Sequence, residues 1–447
     1  MASAWMGLSS LKTMALPHKP ANPLPPTYSI GIPIIRPAAA PATTREELIL
    51  SNAERASGDV AGRSIQDSGM ERTRDRRGPA LVDRTIVVLV NERGNDGDNS
   101  AGEAASITLE RIRAAADVLR GVVVRTPLLR FGEPLPGDPL GRTRAWLKPE
   151  SLQPIGAFKL RGAYYNIATL PPERRAAGVV SHSSGNHAQG VARSARLLGV
   201  RAVIVMPSDA PALKVDRVLA DGAEIVWVGP SSEERVQRAA ELARTEGLTP
   251  VAPYDDAATI TGQGTVGLEI AEQVADLDAG AGASGPPGTL TVLVPIGGGG
   301  LASGVAIAVK SLRPDARVIG VEPELAADAR DSLARGEIVT WPADMTGRTI
   351  ADGQRVAHIG RIPFAILRRQ LDGIVAVGED EIARAMVRAS REARLVLEPS
   401  GATALAALLF HAGELPPAGR IVSILSGGNV DPALYAWLLE RGAAAGG

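Results

Sequence analysis

From Ile107 towards the C-terminus, short runs rich in Val and Ile alternate with longer amphipathic stretches. GVVSHSS, RAVIVMP, AEIVWVG, TLTVLVPI, ARVIGVEPE and RIVSILS have the length and β-branched content of strands, and most precede roughly 10–15 residues of helical period. The region opens with ITLERIRAAADVLRG, where Ile112, Ala115 and Leu119 fall on one helical face and Gly121 supplies a stop. Val191, Ala195 and Leu198 mark the apolar face of a second helix, and Val236, Ala240 and Ala243 that of a third. Repetition of strand, helix, strand predicts parallel sheets covered on both faces. This is a doubly wound α/β architecture, which places ligands at the carboxyl ends of strands. The expected division is a large lobe of residues 106–177 and 258–447 and a small lobe of residues 178–257.

Residues 1–105 lack this rhythm. PHKPANPLPP, IRPAAAPATTREE, MERTRDRRGP and NERGNDGDNSAGEAA are rich in Pro, Gly and charge, so a mostly disordered extension is expected, with TIVVLV at 85–90 as an isolated strand candidate.

Composition narrows the chemistry. The 447 residues carry a formal net charge of −1, and no tail or face is basic enough to suggest nucleic acid. The absence of cysteine excludes disulfides, thiolate catalysis and cysteine-ligated zinc. The five histidines, His18, His182, His187, His358 and His411, show no H-E-x-x-H spacing. No apolar run approaches the roughly 20 residues that span a bilayer, and MASAWMGLSSLKTMALP lacks a clean signal-peptide core. A cytoplasmic location is expected.

Four features remain as candidate chemistry. In VLVPIGGGGLASG, Gly297, Gly298, Gly299 and Gly300 follow a buried strand and precede a helix, so backbone N–H groups can converge on a phosphate there. The alternative, a flexible connector, must meet the entropic cost of four consecutive glycines. A Walker loop is excluded because Gly-Lys-Ser/Thr is missing. GQGTVG at 262–267 fits G-x-G-x-x-G, but PYDDAATIT precedes it where a dinucleotide loop needs a strand. SHSSGNHAQG is a second strand-to-helix loop suited to an anion, and two serines, a glycine and an asparagine exceed a capping role. In RIVSILSGGNVD, Ser426 presents a hydroxyl at a strand end. Finally, SLQPIGAFKLRGA puts Lys159 just after the break at Pro154 and Gly156, between Phe158 and Leu160. Desolvation and the positive end of a helix both lower a lysine pKa. An aldehyde cofactor with a phosphate, pyridoxal phosphate, would engage all of these parts.

SLQPIGAFKLRGAYYNI, SHSSGNHAQGVA, GQGTVGLEI, PIGGGGLASG, TIADGQRV, EPSGATALAAL and ILSGGNVD, in this order, resemble the serine/threonine dehydratase and serine racemase family of fold-type II pyridoxal phosphate enzymes, whose fold is like that of the tryptophan synthase β-subunit. The resemblance runs from about Ile107 to about Leu439 and implies the roles that follow. Lys159 is the Schiff-base lysine, with Phe158 beside the ring. Asn186 bonds the phenolic oxygen, and Ser183, Ser184, Gly185, Asn186 and His187 surround the substrate carboxylate. Gly297 to Gly300 and the N–H of Leu301 hold the phosphate, and Ser426 meets the pyridine nitrogen. Glu322, the carbonyl of Ala326 and Asp328 match the ligands of a Mg²⁺ or Ca²⁺ ion. The implied reaction is dehydration and deamination of L-threonine to 2-oxobutanoate and of L-serine to pyruvate, with Lys159 as the Cα base. Serine racemase and 3-hydroxyaspartate dehydratase activities are the alternatives; in racemases the serine matching Ser184 is the base on the opposite face. A non-catalytic ligand-binding protein is the alternative from another class, against which Lys159 argues. PYDD resembles the dehydratase form PFDD, with Tyr254 in place of Phe, and differs from the asparagine of animal serine racemases, which favours dehydration. A homodimer is the family expectation.

Overall fold

Each of the six apolar runs becomes a strand; five bury most of their residues under helices, while the edge strand of AEIVWVG stays partly exposed, with Trp227 52% accessible. The computed structural model describes residues 99–132, 144–183, 185–210, 212–229, 232–280 and 289–446. The TIVVLV run and Ser184 lie outside the described residues.

Among the described residues, ten strands form two sheets. The larger contains β1 (Leu129–Phe131), β2 (Arg144–Pro149), β7 (Leu290–Pro295), β8 (Arg317–Pro323), β9 (Gly373–Val377) and β10 (Arg420–Leu425) in the order β1-β2-β10-β7-β8-β9. All its pairs are parallel except β1 with β2. The smaller contains β3 (Val179–Ser181), β4 (Ala202–Pro207), β5 (Glu224–Val228) and β6 (Thr249–Pro250) in the order β5-β4-β3-β6, all parallel. In β7, Val292 and Val294 enter one core cluster while Leu293 enters the cluster on the opposite face, as alternation along a strand requires. No helix among the described residues is long and apolar enough to cross a membrane.

The helix Lys159–Ala168 packs on two sides: Ala163 and Ile167 enter the core of the small sheet, and Gly162 lies against Gln263 and Thr259 of the helix Ala257–Gly280. Two expectations shift. In the helix Ser232–Glu246, Ala239 and Leu242 are buried while Val236 is 48% exposed. Alanines scattered around that helix blur the apolar stripe, and the predicted face is rotated from the real one. A short helix, Ser100–Ala105, falls within the stretch expected to lack regular structure. By contrast, Ile112, Ala115 and Leu119 are all buried, and Gly121 has the positive φ of 81° that lets the chain turn.

The G-x-G-x-x-G match lies inside the long helix Ala257–Gly280. A Cβ on Gly262 would sit 2.6 Å from the Arg161 carbonyl oxygen, and one on Gly267 would sit 2.7 Å from that of Val305. These glycines let helices cross closely; none borders a phosphate loop.

Candidate active site

Two loops stitched together present Lys159. Gly156, with φ of 73°, turns the chain so that Ala157 pairs antiparallel with Gly427. The Phe158 N–H donates to the Ser426 carbonyl at 3.1 Å, and the Gly428 N–H to the Gly156 carbonyl at 2.9 Å. Lys159 therefore opens its helix beside the carboxyl end of β10. Its amine donates to the Pro253 carbonyl at 2.7 Å and stands 5.0 Å from the Phe158 ring centroid. Burial pushes this amine down to about 8, so the neutral form that a nucleophile or base requires is present near neutral pH.

The other candidates gather at strand ends, as the doubly wound fold dictates. After β3, the Gly185 N–H donates to Ser183 Oγ at 3.3 Å, and Gly185 precedes the helix Asn186–Leu198. Asn186 Nδ2 donates to Glu398 Oε1 at 2.6 Å, while its Oδ1 accepts from Asn429 Nδ2 at 2.8 Å. The His187 ring is a core group: it is buried, its Nε2 bonds the Val251 carbonyl at 2.9 Å, and burial with the nearby Lys159 charge pushes it down to about 3. Its ring therefore supports the loop from below. After β10, Ser426 is buried and donates to the Ser400 carbonyl at 3.3 Å.

After β7, Gly297 to Gly300 lead into the helix Gly300–Leu312. A Cβ on Gly298 would overlap the Tyr254 ring, and one on Gly299, at φ 89°, would stand 2.7 Å from Pro363 Cβ. One side of the loop is thus closed by packing. The first N–H groups of the helix have no intrahelical acceptors and can meet an anion. Tyr254 belongs to PYDD, whose two acids are also structural. Asp255 accepts from the N–H groups of Arg361 and Ile362 at 3.1 and 2.9 Å, and Asp256 caps Thr259 at 2.7 Å. Their capping roles account for both aspartates without reference to a substrate.

Glu322, at the end of β8, accepts from the N–H groups of Ala329 and Arg330 at 3.1 and 2.8 Å. The Asp328 carboxylate is buried, with the backbone N–H groups of Asp328 and Ile359 facing it. Burial pushes Asp328 up to about 7, and burial followed by the Asp328 charge raises Glu322 well above the carboxylate range. Among the described residues, no group of three or more His, Cys, Asp or Glu is arranged to hold a metal.

Two features escaped the sequence reading. Glu398 and Asn429 lie inside quoted motifs, yet only their contacts with Asn186 reveal a part in the site. Arg161, two residues beyond Lys159, is fully buried and bonds Glu150 at 2.7 and 2.8 Å and Glu269 at 2.6 Å. Lys148 joins the same network through Glu269 at 2.6 Å. This cluster pins the start of the lysine helix to β2 and the long helix; no local pattern announces it.

A lysine made reactive by burial, set between two sheets among anion-ready strand ends, defines an enzyme of aldehyde-cofactor chemistry. A model of the family described as pyridoxal-phosphate dependent enzyme matches residues 119–427, and the chain belongs to that family, with pyridoxal phosphate as its cofactor and the fold-type II architecture. It is 40% identical over 327 residues to L-threo-3-hydroxyaspartate ammonia-lyase of Saccharomyces cerevisiae, spanning 73% of this chain and 94% of that one. It is 40% identical over 339 residues to L-threonine ammonia-lyase of Geobacter sulfurreducens, spanning 75% and 79%. The structure of maize serine racemase superposes with a TM-score of 0.66 at 36% identity, covering 76% of this chain and 98% of that one.

Proposed function

We propose that this enzyme dehydrates and deaminates L-threonine to 2-oxobutanoate and ammonia, and L-serine to pyruvate and ammonia. The observation that carries this reading is the Lys159 amine, depressed to about 8 and aimed by the Pro253 carbonyl beside Ser426. The residues suit pyridoxal phosphate. Lys159 would anchor it, Phe158 would lie against it, Gly297 to Gly300 and Leu301 would hold its phosphate, and Asn186 and Ser426 would meet its ring. A neutral hydroxyl at the ring nitrogen leaves that nitrogen largely unprotonated.

The bound cofactor supplies the electron sink that makes a Cα proton removable. Lys159 Nζ accepts that proton, and its lowered pKa suits a base working near neutral pH. Ser183, Ser184, Gly185 and the main chain of Asn186 and His187 hold the substrate carboxylate at a helix N-terminus. Loss of the Cα proton and the β-hydroxyl releases water, and hydrolysis of the resulting enamine consumes water and frees ammonia. The sum is redox-neutral and needs no co-reactant.

Two further readings keep specific support. The yeast relative favours a 3-hydroxyaspartate ammonia-lyase; the maize structure, with Ser184 matching the serine base of racemases, favours a serine racemase. A Mg²⁺ or Ca²⁺ ion on Glu322, Asp328 and the Ala326 carbonyl is supported by the burial of both carboxyls within electrostatic reach of each other. A homodimer is supported by the exposed apolar pair Leu434 and Trp437 on one helix, and a cytoplasmic location by composition.

One set of assays tests these together. 2-Oxo acid release is measured from L-threonine, L-serine, D-serine and both 3-hydroxyaspartates, with and without each cation, on a preparation whose mass is read by sedimentation. Fastest release from L-threonine is expected. Predominant conversion of L-serine to D-serine, or turnover confined to 3-hydroxyaspartate, overturns the leading reading.

A further inference from the structure

The amide of Asn186 is oriented by a chain of hydrogen bonds with no freedom in its direction. At one end Arg217, on the small-lobe helix Ala212–Ala220, bonds Asn429 Oδ1. A guanidinium only donates, so this face of Asn429 must be its oxygen. On the other face Asn429 Nδ2 donates to the Ile155 carbonyl at 2.7 Å, an acceptor only. The same Nδ2 donates to Asn186 Oδ1 at 2.8 Å, which turns Asn186 Nδ2 towards Glu398 Oε1 at 2.6 Å. An amide nitrogen has two N–H groups; one is taken by Glu398, and the other is left for a ligand.

Glycines make room for the chain. A Cβ on Gly427 would overlap Glu398 Oε1, and one on Gly156 would overlap Asn429 Oδ1. Asn429 and Glu398 come from large-lobe loops, Asn186 and Arg217 from small-lobe helices. The lock therefore spans the cleft.

We propose that Asn429 and Glu398 are positioning residues that aim the second N–H of Asn186 at the phenolic oxygen of the cofactor, and that Arg217 ties this lock to the small lobe. The inference rests on the placement of the cofactor at Lys159 and is independent of which amino acid is the substrate. A donor at the phenolic oxygen favours its ionised form, which absorbs in the visible; the protonated form absorbs in the near ultraviolet. An Asn186 amide turned the wrong way presents an oxygen there and reverses the preference.

Asn429→Asp keeps the size of the side chain and removes the donor to Asn186. At equal cofactor occupancy, measured by alkaline release of pyridoxal phosphate from the holoenzyme, the ratio of visible to near-ultraviolet absorbance is expected to fall about threefold to tenfold, the worth of one hydrogen bond. Arg217→Ala is expected to shift the ratio in the same direction by less, and Arg217→Lys, which restores a donor, to return it towards wild type. If Asn429→Asp does not fold, the Arg217 pair carries the test. An unchanged ratio at full occupancy in these variants overturns the lock and leaves the Lys159 assignment standing. Absence of a pyridoxyl group on Lys159 after borohydride reduction of the wild type overturns the assignment itself.

Discussion

Lys159 owes its character to position more than to its immediate neighbours in sequence. An ordinary lysine side chain titrates near 10.5, and burial brings this one to about 8. An amine-directed reagent applied to the apoprotein should therefore label Lys159 with a rate that rises to half its maximum near pH 8, while surface lysines rise later; peptide mapping across pH reads this. A half-maximum near 10.5 would mean that the amine is solvated and the base assignment wrong. The peptide SLQPIGAFKLRGA shows the helix start and the apolar neighbours, and so the candidate, but the burial depends on the fold bringing the Pro253 carbonyl to the amine and the Ser426 strand end to Phe158, across sequence distances that no local pattern encodes. The same holds for Glu398. It stands in EPSGATALAAL as one acid among many, and only the approach of Asn186 gives it a partner.

At the scale of elements, the sequence was most legible where a strand is apolar on both faces, and least where burial depends on a remote partner. RAWLKP became β2 although it carries Lys148, because Glu269 and the Thr126 carbonyl satisfy that amine at 2.6 and 2.7 Å; a scan for apolar runs passes over a buried lysine. GQGTVG misleads in the opposite way, since its glycines serve helix contact. The tightest of these contacts is at Gly304, where a Cβ would lie 2.5 Å from the Gly264 nitrogen and 2.5 Å from the Ile260 carbonyl oxygen. Both obstacles are backbone, so the helices Ala257–Gly280 and Gly300–Leu312 would have to separate. Gly304→Ala should cost about 1–3 kcal/mol of stability or more, the usual range for overpacking. Gly413→Ala, with nothing within 4 Å of its added carbon, should stay within about 0.5 kcal/mol. Urea denaturation of the two variants beside wild type checks both, and equal midpoints would show that the crossing has slack.

For the whole molecule, the strand and helix rhythm gave the doubly wound class but not the strand order, because uniformly apolar strands are interchangeable as neighbours and nothing local says that β10 enters between β2 and β7. That order brings EPSGATA against Asn186 and buries Glu398 at the start of the helix Asn186–Leu198, where its proton becomes linked to folding. Burial, then the charge of Asp352, raise Glu398 from an ordinary 4.5 to about 8, against the hydrogen bond from Asn186 and the nearby charges of Lys214 and Arg217. Between those values the folded chain keeps a proton that the unfolded chain releases, so this carboxyl makes stability fall as pH rises through the window. His187 acts oppositely: it is held neutral down to about 3 against an ordinary 6.5, so below 6.5 the unfolded chain takes a proton that the folded chain refuses, and acid destabilises. Above 6.5 the histidine slope dies away, and because His187 is present in both wild type and Glu398→Gln it cancels from their difference, leaving the Glu398 effect. The unfolding free energy of wild type relative to Glu398→Gln should therefore fall with pH between 6.5 and 8, at up to about 1.4 kcal/mol per pH unit. Denaturant titrations of both proteins at the two ends of that range measure the difference, and a difference that is flat, or that rises with pH, would place an ionised carboxylate at the cleft and remove the buried acid from the account of the site.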